Sequence, residues 1–241
     1  HLESLAVEVA RFHGRAAAAG PESPFGQADQ VSAPLAENFR HMRRHTADAT
    51  RLARLASLEQ WCQAEHARRR AAFAERKAAG FIREGHGDLH LGNMVLLEGR
   101  VTLFDCIEFS ESLRWIDVIS DLAFTLMDLD DRGCAAAGNR LLNRYLAETG
   151  DYGGLAVLPY YLVYRAGVRA MVAAIRRDQA GISPAERQHA DAESEGYLQL
   201  AEHYTRRRPA GLLLTHGFSG SGKSTYAQEL AGVLGAVHIR S

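Results

Sequence analysis

The sequence predicts an α/β fold that is mostly helical, with a few short strands near its middle and the opening of a parallel sheet near its end. Three observations lead there. Long Ala- and Arg-rich stretches repeat their apolar residues at helical spacing. From Phe81 the texture changes to short apolar runs, "FIRE", "MVLL" and "VTLF", broken by Gly and charged residues. After "RRRPAG", the apolar run "LLLTH" leads into a glycine-rich loop and a further helical stretch.

Each element follows from local chemistry. "LESLAVEVARFHGRAAA" has helical spacing and stops before the breaker pair Gly20-Pro21. "PESPFG" reads as loop. Residues 32–77 read as two or three helices closed by Gly80. The three short runs after it read as strands flanking loops. Helical patterning returns at Trp115 with "WIDVISDLAFTLMDL". It continues through "AAAGNRLLNRYLAET", "LAVLPYYLVYRAGVRAMVAAIRR" and "PAERQHADAESEGYLQLAEHY". Pro184 suits a first helical turn, where its missing N–H would be unpaired in any case. "RRRPAG" reads as a boundary between residues 1–208 and 209–241. Beyond it, "LLLTH" reads as a buried strand, "STYAQELAGVLG" as a helix and "AVHIR" as a second strand.

Composition narrows the function classes. In 241 residues, 46% hydrophobic and 24% charged content is ordinary for a globular protein, and a net charge of −1 gives no reason to expect nucleic acid or an anionic membrane as partner. Lys77 and Lys223 are the only lysines. Cys62, Cys106 and Cys134 are odd in number and share no metal-ligand spacing, which fits a reduced, cytoplasmic protein. No apolar run reaches the length of a membrane span. The chain begins at His1 rather than Met, so a targeting segment is not testable in it.

Two motifs carry chemistry. The first is Gly217-Phe218-Ser219-Gly220-Ser221-Gly222-Lys223-Ser224, followed by Thr225, which matches the Walker A pattern G-x-x-x-x-G-K-[ST]. Glycines let the backbone curl so that successive N–H groups face phosphate oxygens. The helix beginning near Lys223 adds its positive end. Lys223 would reach the β- and γ-phosphates of ATP, and the Ser224 hydroxyl would ligate Mg²⁺. The plainer reading is a flexible Gly/Ser turn. A P-loop enzyme also needs a downstream acidic residue and a lid, so the expectation is that the natural protein continues past Ser241.

The second motif is "HGDLHLGN", His86 to Asn93, followed by a strand ending at Asp105. The pattern H-x-D-x-x-x-x-N then strand-Asp matches a kinase catalytic loop with its metal-binding aspartate. Asp88 would accept the proton of an attacking hydroxyl, while Asn93 and Asp105 would hold Mg²⁺. Two rival readings exist. One takes His86 and His90 as zinc ligands, but no third N or S ligand falls at useful spacing. "VTLFD" can also be read as the acidic strand serving the Gly217 loop, but that strand normally follows its P-loop in sequence.

With "LFDCIEF" and "WIDVISDLAF", this loop resembles the C-terminal lobe of aminoglycoside phosphotransferase-like small-molecule kinases, related to choline kinases. The whole order resembles bacterial proteins that fuse such a domain to a P-loop ATPase or kinase domain. The resemblance implies a mostly helical, protein-kinase-like C-lobe over 1–208, then the first β-P-loop-α-β unit of an NTPase over 209–241. It implies Asp88 as catalytic base, Asn93 and Asp105 as metal ligands, Asp121 as a helix aspartate bonded to the catalytic-loop backbone, and His86 as a structural support. Gly87 replaces the arginine of the protein-kinase H-R-D, and "DCIE" replaces D-F-G. Glu108 reads either as a further contact or as a solvated loop charge. The family's ATP-gripping N-lobe, with its strand lysine, has no counterpart here, so the chain reads as a piece truncated at both ends.

The implied function is ATP- and Mg²⁺-dependent phosphotransfer to a small-molecule hydroxyl, with a second ATP-binding loop. The alternative is a pseudokinase-like ligand-binding module that regulates a P-loop enzyme. For the acceptor, Tyr160, Tyr164, Arg165, Arg169 and Arg176 read either as a pocket with a basic rim or as core tyrosines and ion-paired arginines. Asp128, Asp130 and Asp131 read either as an attraction for a cationic substrate or as solvated charges. Trp115 and Phe124 read as core.

Overall fold

The computed structural model describes residues 2–206 and 211–239. Helix α1 (Leu2–Arg15) packs on α6 (Ala135–Thr149). Helices α2 (Ala33–Arg44) and α3 (Ala49–Ala78) follow, as the periodicity of 32–77 predicts. Asp48 caps α3 by accepting the Arg51 N–H at 2.7 Å, and Gly80 ends the segment at φ +76°. The three short apolar runs form β1 (Ile82–Glu84), β2 (Met94–Leu97) and β3 (Arg100–Leu103).

Strands β2 and β3 form a hairpin whose two-residue turn, Glu98-Gly99, holds both residues at positive φ. Such a turn matches the twist of the flanking strands and fixes the register, which pairs Met94 with Leu103.

The helix expected from Trp115 instead begins at Val118. A single turn, α4 (Glu111–Arg114), leads into strand β4 (Trp115–Asp117), which pairs antiparallel with β1. Asp117 then caps α5 (Val118–Asp131) by accepting the Ile119 N–H at 2.9 Å. The aspartate favours the cap position over a helix interior, so the apolar run is divided there. Trp115 is half-buried and stacks on Phe25, and Phe124 lies in the core.

Helix α5 is the centre of the molecule. Every residue from Val118 to Leu129 is buried, and α6 and α7 (Leu158–Arg177) flank it. Helix α7 packs along α8 (Pro184–Thr205), which opens with a reciprocal Ser183–Glu186 capping box and Pro184 in its first turn. Tyr160 and Tyr161 pack edge-on with Phe73 in the core, so these tyrosines are core residues.

At the C-terminal end, α9 (Lys223–Leu234) forms as expected. The two expected strands around it do not. Residues 212–216 and 236–239 have no strand partner among the described residues, and Leu212 and Leu214 are 82% and 83% exposed. An apolar parallel strand needs a neighbour for its N–H and C=O groups and a cover on each face. Among the described residues neither is present. The segment instead docks on α6, where the Asn139 and Asn143 amides donate to the Ala236 carbonyl at 3.1 and 3.0 Å. The linker read at "RRRPAG" falls largely on 207–210, outside the described residues.

A buried ion cluster ties these layers together. The Arg76 guanidinium, from the last turn of α3, donates to both oxygens of Asp117 at 2.6 and 2.8 Å and to both of Asp151 at 2.7 and 2.8 Å. Burial alone would lower the Arg76 pKa, but the two carboxylates more than offset it and the guanidinium stays charged. Replacing Arg76 with Met leaves two carboxylates buried without a counter-charge. The expected loss is about 3–5 kcal/mol of unfolding free energy, read as a lower urea midpoint at unchanged m-value. Adding Asp117→Asn and Asp151→Asn to Arg76→Met recovers part of it.

Candidate active site

The catalytic-loop sequence folds as a short extended segment running from β1 into a 3₁₀ turn, Leu91–Asn93. Its backbone polar groups are held by one stripe of side chains on α5. Asp121 accepts the His86 and Gly87 N–H groups at 2.6 and 2.9 Å. One turn on, the Thr125 hydroxyl donates to the Leu89 carbonyl at 2.7 Å. A further turn on, Asp128 accepts the Leu91 N–H at 2.9 Å. Positions 121, 125 and 128 share one helix face.

Two glycines allow this approach. A Cβ on Gly85 would lie 2.5 Å from Asp121 Oδ2. Gly87 has φ +82°, and a Cβ there would lie 2.7 Å from the Leu113 carbonyl oxygen. No arginine fits at position 87, which accounts for the departure from H-R-D.

Asp121 is fully buried, which would raise its pKa. His13, 3.5 Å away, the Arg165 charge and the His86 N–H outweigh burial and hold the carboxyl below the ordinary aspartate value. The expectation that Asp128 is solvated is corrected: it is 2% exposed and holds Leu91. Asp130 is also engaged, accepting the Tyr204 hydroxyl at 2.7 Å, while Asp131 is exposed. The sequence pointed to Asp121 for this role, gave no sign of Thr125, and left Asp128 as a substrate attraction or a solvated charge. The available signal was the spacing of Asp121, Thr125 and Asp128 at i, i+4 and i+7 in a stretch, Val118–Leu129, that is otherwise apolar but for Ser120.

Asp88 and Asn93 are in direct contact. The Asn93 amide donates to the Asp88 carbonyl at 3.0 Å and to Asp88 Oδ2 at 3.1 Å. His90 Nδ1 accepts the Gly92 N–H at 3.0 Å, so its other nitrogen carries the ring proton and faces Asp88 Oδ2 at 3.4 Å. Partial burial would raise the Asp88 pKa, but His90, the Arg165 charge and Asn93 hold it below the ordinary value. Asp88 is therefore a carboxylate at neutral pH, with 38% of its side chain exposed.

Asp105 is brought to this loop by its neighbours. The hairpin register continues into a Phe104 N–H to Asn93 carbonyl bond of 3.1 Å. His86 Nε2 donates to the Phe104 carbonyl at 2.8 Å, and the Ile107 N–H returns to the His86 carbonyl at 2.9 Å. Asp105 sits between these anchors, exposed, at φ +60°. A non-glycine residue in the left-handed region is held there by its surroundings. Glu108 is exposed.

The donor set fits Mg²⁺. The Asn93 Nδ2 is committed to Asp88, which would leave Oδ1 to ligate a cation, and Asp105 would offer a carboxylate. Both are hard oxygen donors. Among the described residues no cluster of three His, Cys, Asp or Glu forms a metal cage, which leaves the zinc reading without ligands. Magnesium held by one or two side chains, waters and phosphates needs no such cage. Clefts of about 520 and 1040 Å³ lie elsewhere, one at the α2–α3 junction against α7 and α8, the other along α3; neither includes Asp88, Asn93 or Asp105.

The profile of the phosphotransferase enzyme family matches residues 1–158, a span that holds His86, Asp88, Asn93, Asp105 and Asp121. The chain belongs to that family. Uncharacterized proteins of Mycobacterium bovis and of two Mycobacterium tuberculosis strains are each 32% identical to it over 235 residues. The match covers 98% of this chain and 46% of each relative, so the chain spans about half the length of the curated relatives it matches. No helix among the described residues is long and apolar enough to cross a membrane.

The glycine-rich loop is far plainer. Residues 217–222 and 224–225 are exposed, with Gly220 and Gly222 at positive φ and Gly222 capping α9. The Lys223 ammonium folds back onto the Gly217 and Phe218 carbonyls at 2.7 and 2.5 Å. These two carbonyls occupy the cation that a phosphate would recruit.

Replacing Asp121 with Asn tests the buried anchor. Its depressed pKa means that its stabilisation is fully present above the unfolded aspartate pKa and is lost as pH falls through the lower folded value. Asp121→Asn should cost about 2–4 kcal/mol at neutral pH. The stability curves of variant and parent, from denaturant titrations, should converge below about pH 4.

Proposed function

We propose that this family member transfers the γ-phosphate of ATP to the hydroxyl of a small molecule, using Mg²⁺. The observation that carries the reading is the contact between Asp88 and Asn93 on a loop whose backbone is pinned from α5. Asp88 is the catalytic base. Its Oδ2 is engaged by Asn93 and faces His90, which leaves Oδ1 for the acceptor's hydroxyl proton. A carboxylate held this acidic removes a proton weakly from a resting hydroxyl. Its work is to orient the oxygen and to receive the proton as phosphoryl transfer proceeds, which suits a loose transition state.

Asn93 and Asp105 are the proposed Mg²⁺ ligands, and Mg²⁺ when bound would neutralise phosphate charge. His86 and Asp121 support the loop. Residues 1–208 are read as the kinase C-lobe and 209–241 as the start of a P-loop domain. In that domain Gly217 to Thr225 bind a second ATP, with Ser224 on its Mg²⁺. Nucleotide binding there requires Lys223 to leave the Gly217 and Phe218 carbonyls. The acceptor is a small hydroxyl compound handled in the cytoplasm, and neither nucleic acid nor membrane is a proposed partner.

In the full-length protein, Asp88→Asn should lower ATP-dependent phosphorylation of a hydroxyl-compound panel by about 10²–10⁴-fold, with the unfolding midpoint little changed. Undiminished transfer removes Asp88 from the mechanism. Lys223→Ala should reduce the ATP bound per chain, measured by equilibrium dialysis, while leaving the Asp88-dependent transfer. Loss of all turnover with Lys223→Ala, together with no effect of Asp88→Asn, would mark the kinase half as a regulatory ligand-binding module.

A further inference from the structure

We infer that Arg165, on α7, is a positioning residue that sets the direction of Asp88 by fixing the peptide plane between Gly87 and Asp88. The inference rests on the phosphotransfer reading above. Arg165 lies outside the segment matched to the family and outside both sequence motifs.

The Arg165 guanidinium is 5% exposed, and one Nη donates to the Gly87 carbonyl at 2.8 Å. Its Nε donates to the Ser120 carbonyl at 3.0 Å, so the fork bridges the catalytic loop to the first turn of α5. The rings of Phe124 and Tyr164 lie 4.9 and 5.1 Å from the guanidinium carbon and confine it. The second Nη has no hydrogen-bond partner and stands 3.9 Å from Asp121 Oδ1.

The contact matters because of where it falls. Gly87 has φ +82°, and glycine by itself leaves the following ψ soft. Asp121 holds the N–H side of Gly87, but only Arg165 holds its carbonyl among the hydrogen bonds described. That carbonyl belongs to the peptide whose N–H is Asp88's own. Rotating the plane swings the Asp88 side chain away from Asn93. A protein-kinase loop carries an arginine at the position of Gly87, where here a side chain would strike the Leu113 carbonyl. The charge is supplied instead from a helix 78 residues further along the chain. A lysine could not reproduce it, since one ammonium lacks the planar fork that spans two carbonyls.

The test uses the full-length protein and MgATP turnover, counting only the share that Asp88→Asn removes. Arg165→Lys should lose about 10-fold or more of that share in kcat, with KM for ATP nearly unchanged. In Arg165→Ala, low millimolar guanidinium should restore a saturable part of it, which a purely structural loss would not allow. Full kcat in folded Arg165→Lys overturns this inference and leaves the phosphotransfer reading intact. So does an Arg165→Ala enzyme that is folded, slow and deaf to guanidinium. Should Arg165→Ala not fold, the Arg165→Lys kinetics decide alone. If no Asp88-dependent share exists, the phosphotransfer reading falls and this inference falls with it.

Discussion

The structure depends on one buried carboxylate. Asp121 has no exposed surface, and its two oxygens take the N–H groups of His86 and Gly87. A buried ionised group persists only where hydrogen bonds and opposite charge replace its water. Asp121 has both, the hydrogen bonds from the loop backbone and the charge from Arg165. The arrangement is reciprocal. Two backbone donors that would be costly to leave unpaired find an acceptor, and the acceptor finds donors only if the loop has its working shape. The segment His86–Asn93 is thus held by a polar demand of the core.

The rest of the site follows from that anchor. Thr125 and Asp128 extend the grip along the loop, and Arg165 adds a contact from α7. The hairpin does the same for Asp105, since its tight turn fixes the register and the register carries Phe104 to Asn93. Each contact is worth little alone, roughly 1 kcal/mol. Their value is that they converge on a few peptide planes, so Asp88 and Asn93 are held in one arrangement. The same economy appears at Arg76, where one guanidinium joins the end of α3 to the cap of α5 and to the turn after α6.

The two motifs fare differently because their surroundings differ. "HGDLHLGN" is enclosed by α5, α7 and a hairpin, all within the described chain. "GFSGSGKS" has its helix, but the apolar run before it is exposed and pairs with nothing among the described residues. A phosphate-binding loop is a junction between a strand and a helix, and its shape is held by the sheet on which that strand lies. The Lys223 ammonium meets the Gly217 and Phe218 carbonyls.

By itself the sequence determined most of the helices and the three short strands after Phe81, and it marked Asp88, Asn93 and Asp105 for the chemistry proposed. Periodicity, caps and motif spacing are local properties, and Pro184, Gly80 and Asp88 act within a few residues of themselves. The tertiary structure alone decided that Trp115–Asp117 is a strand, because only its pairing with β1 makes it one. It also decided that Asp128 is buried and that Arg165 reaches Gly87. Those outcomes depend on partners 37 and 78 residues away along the chain. A charged side chain reads the same in sequence whether water or a backbone carbonyl awaits it; only the packing of helices settles which.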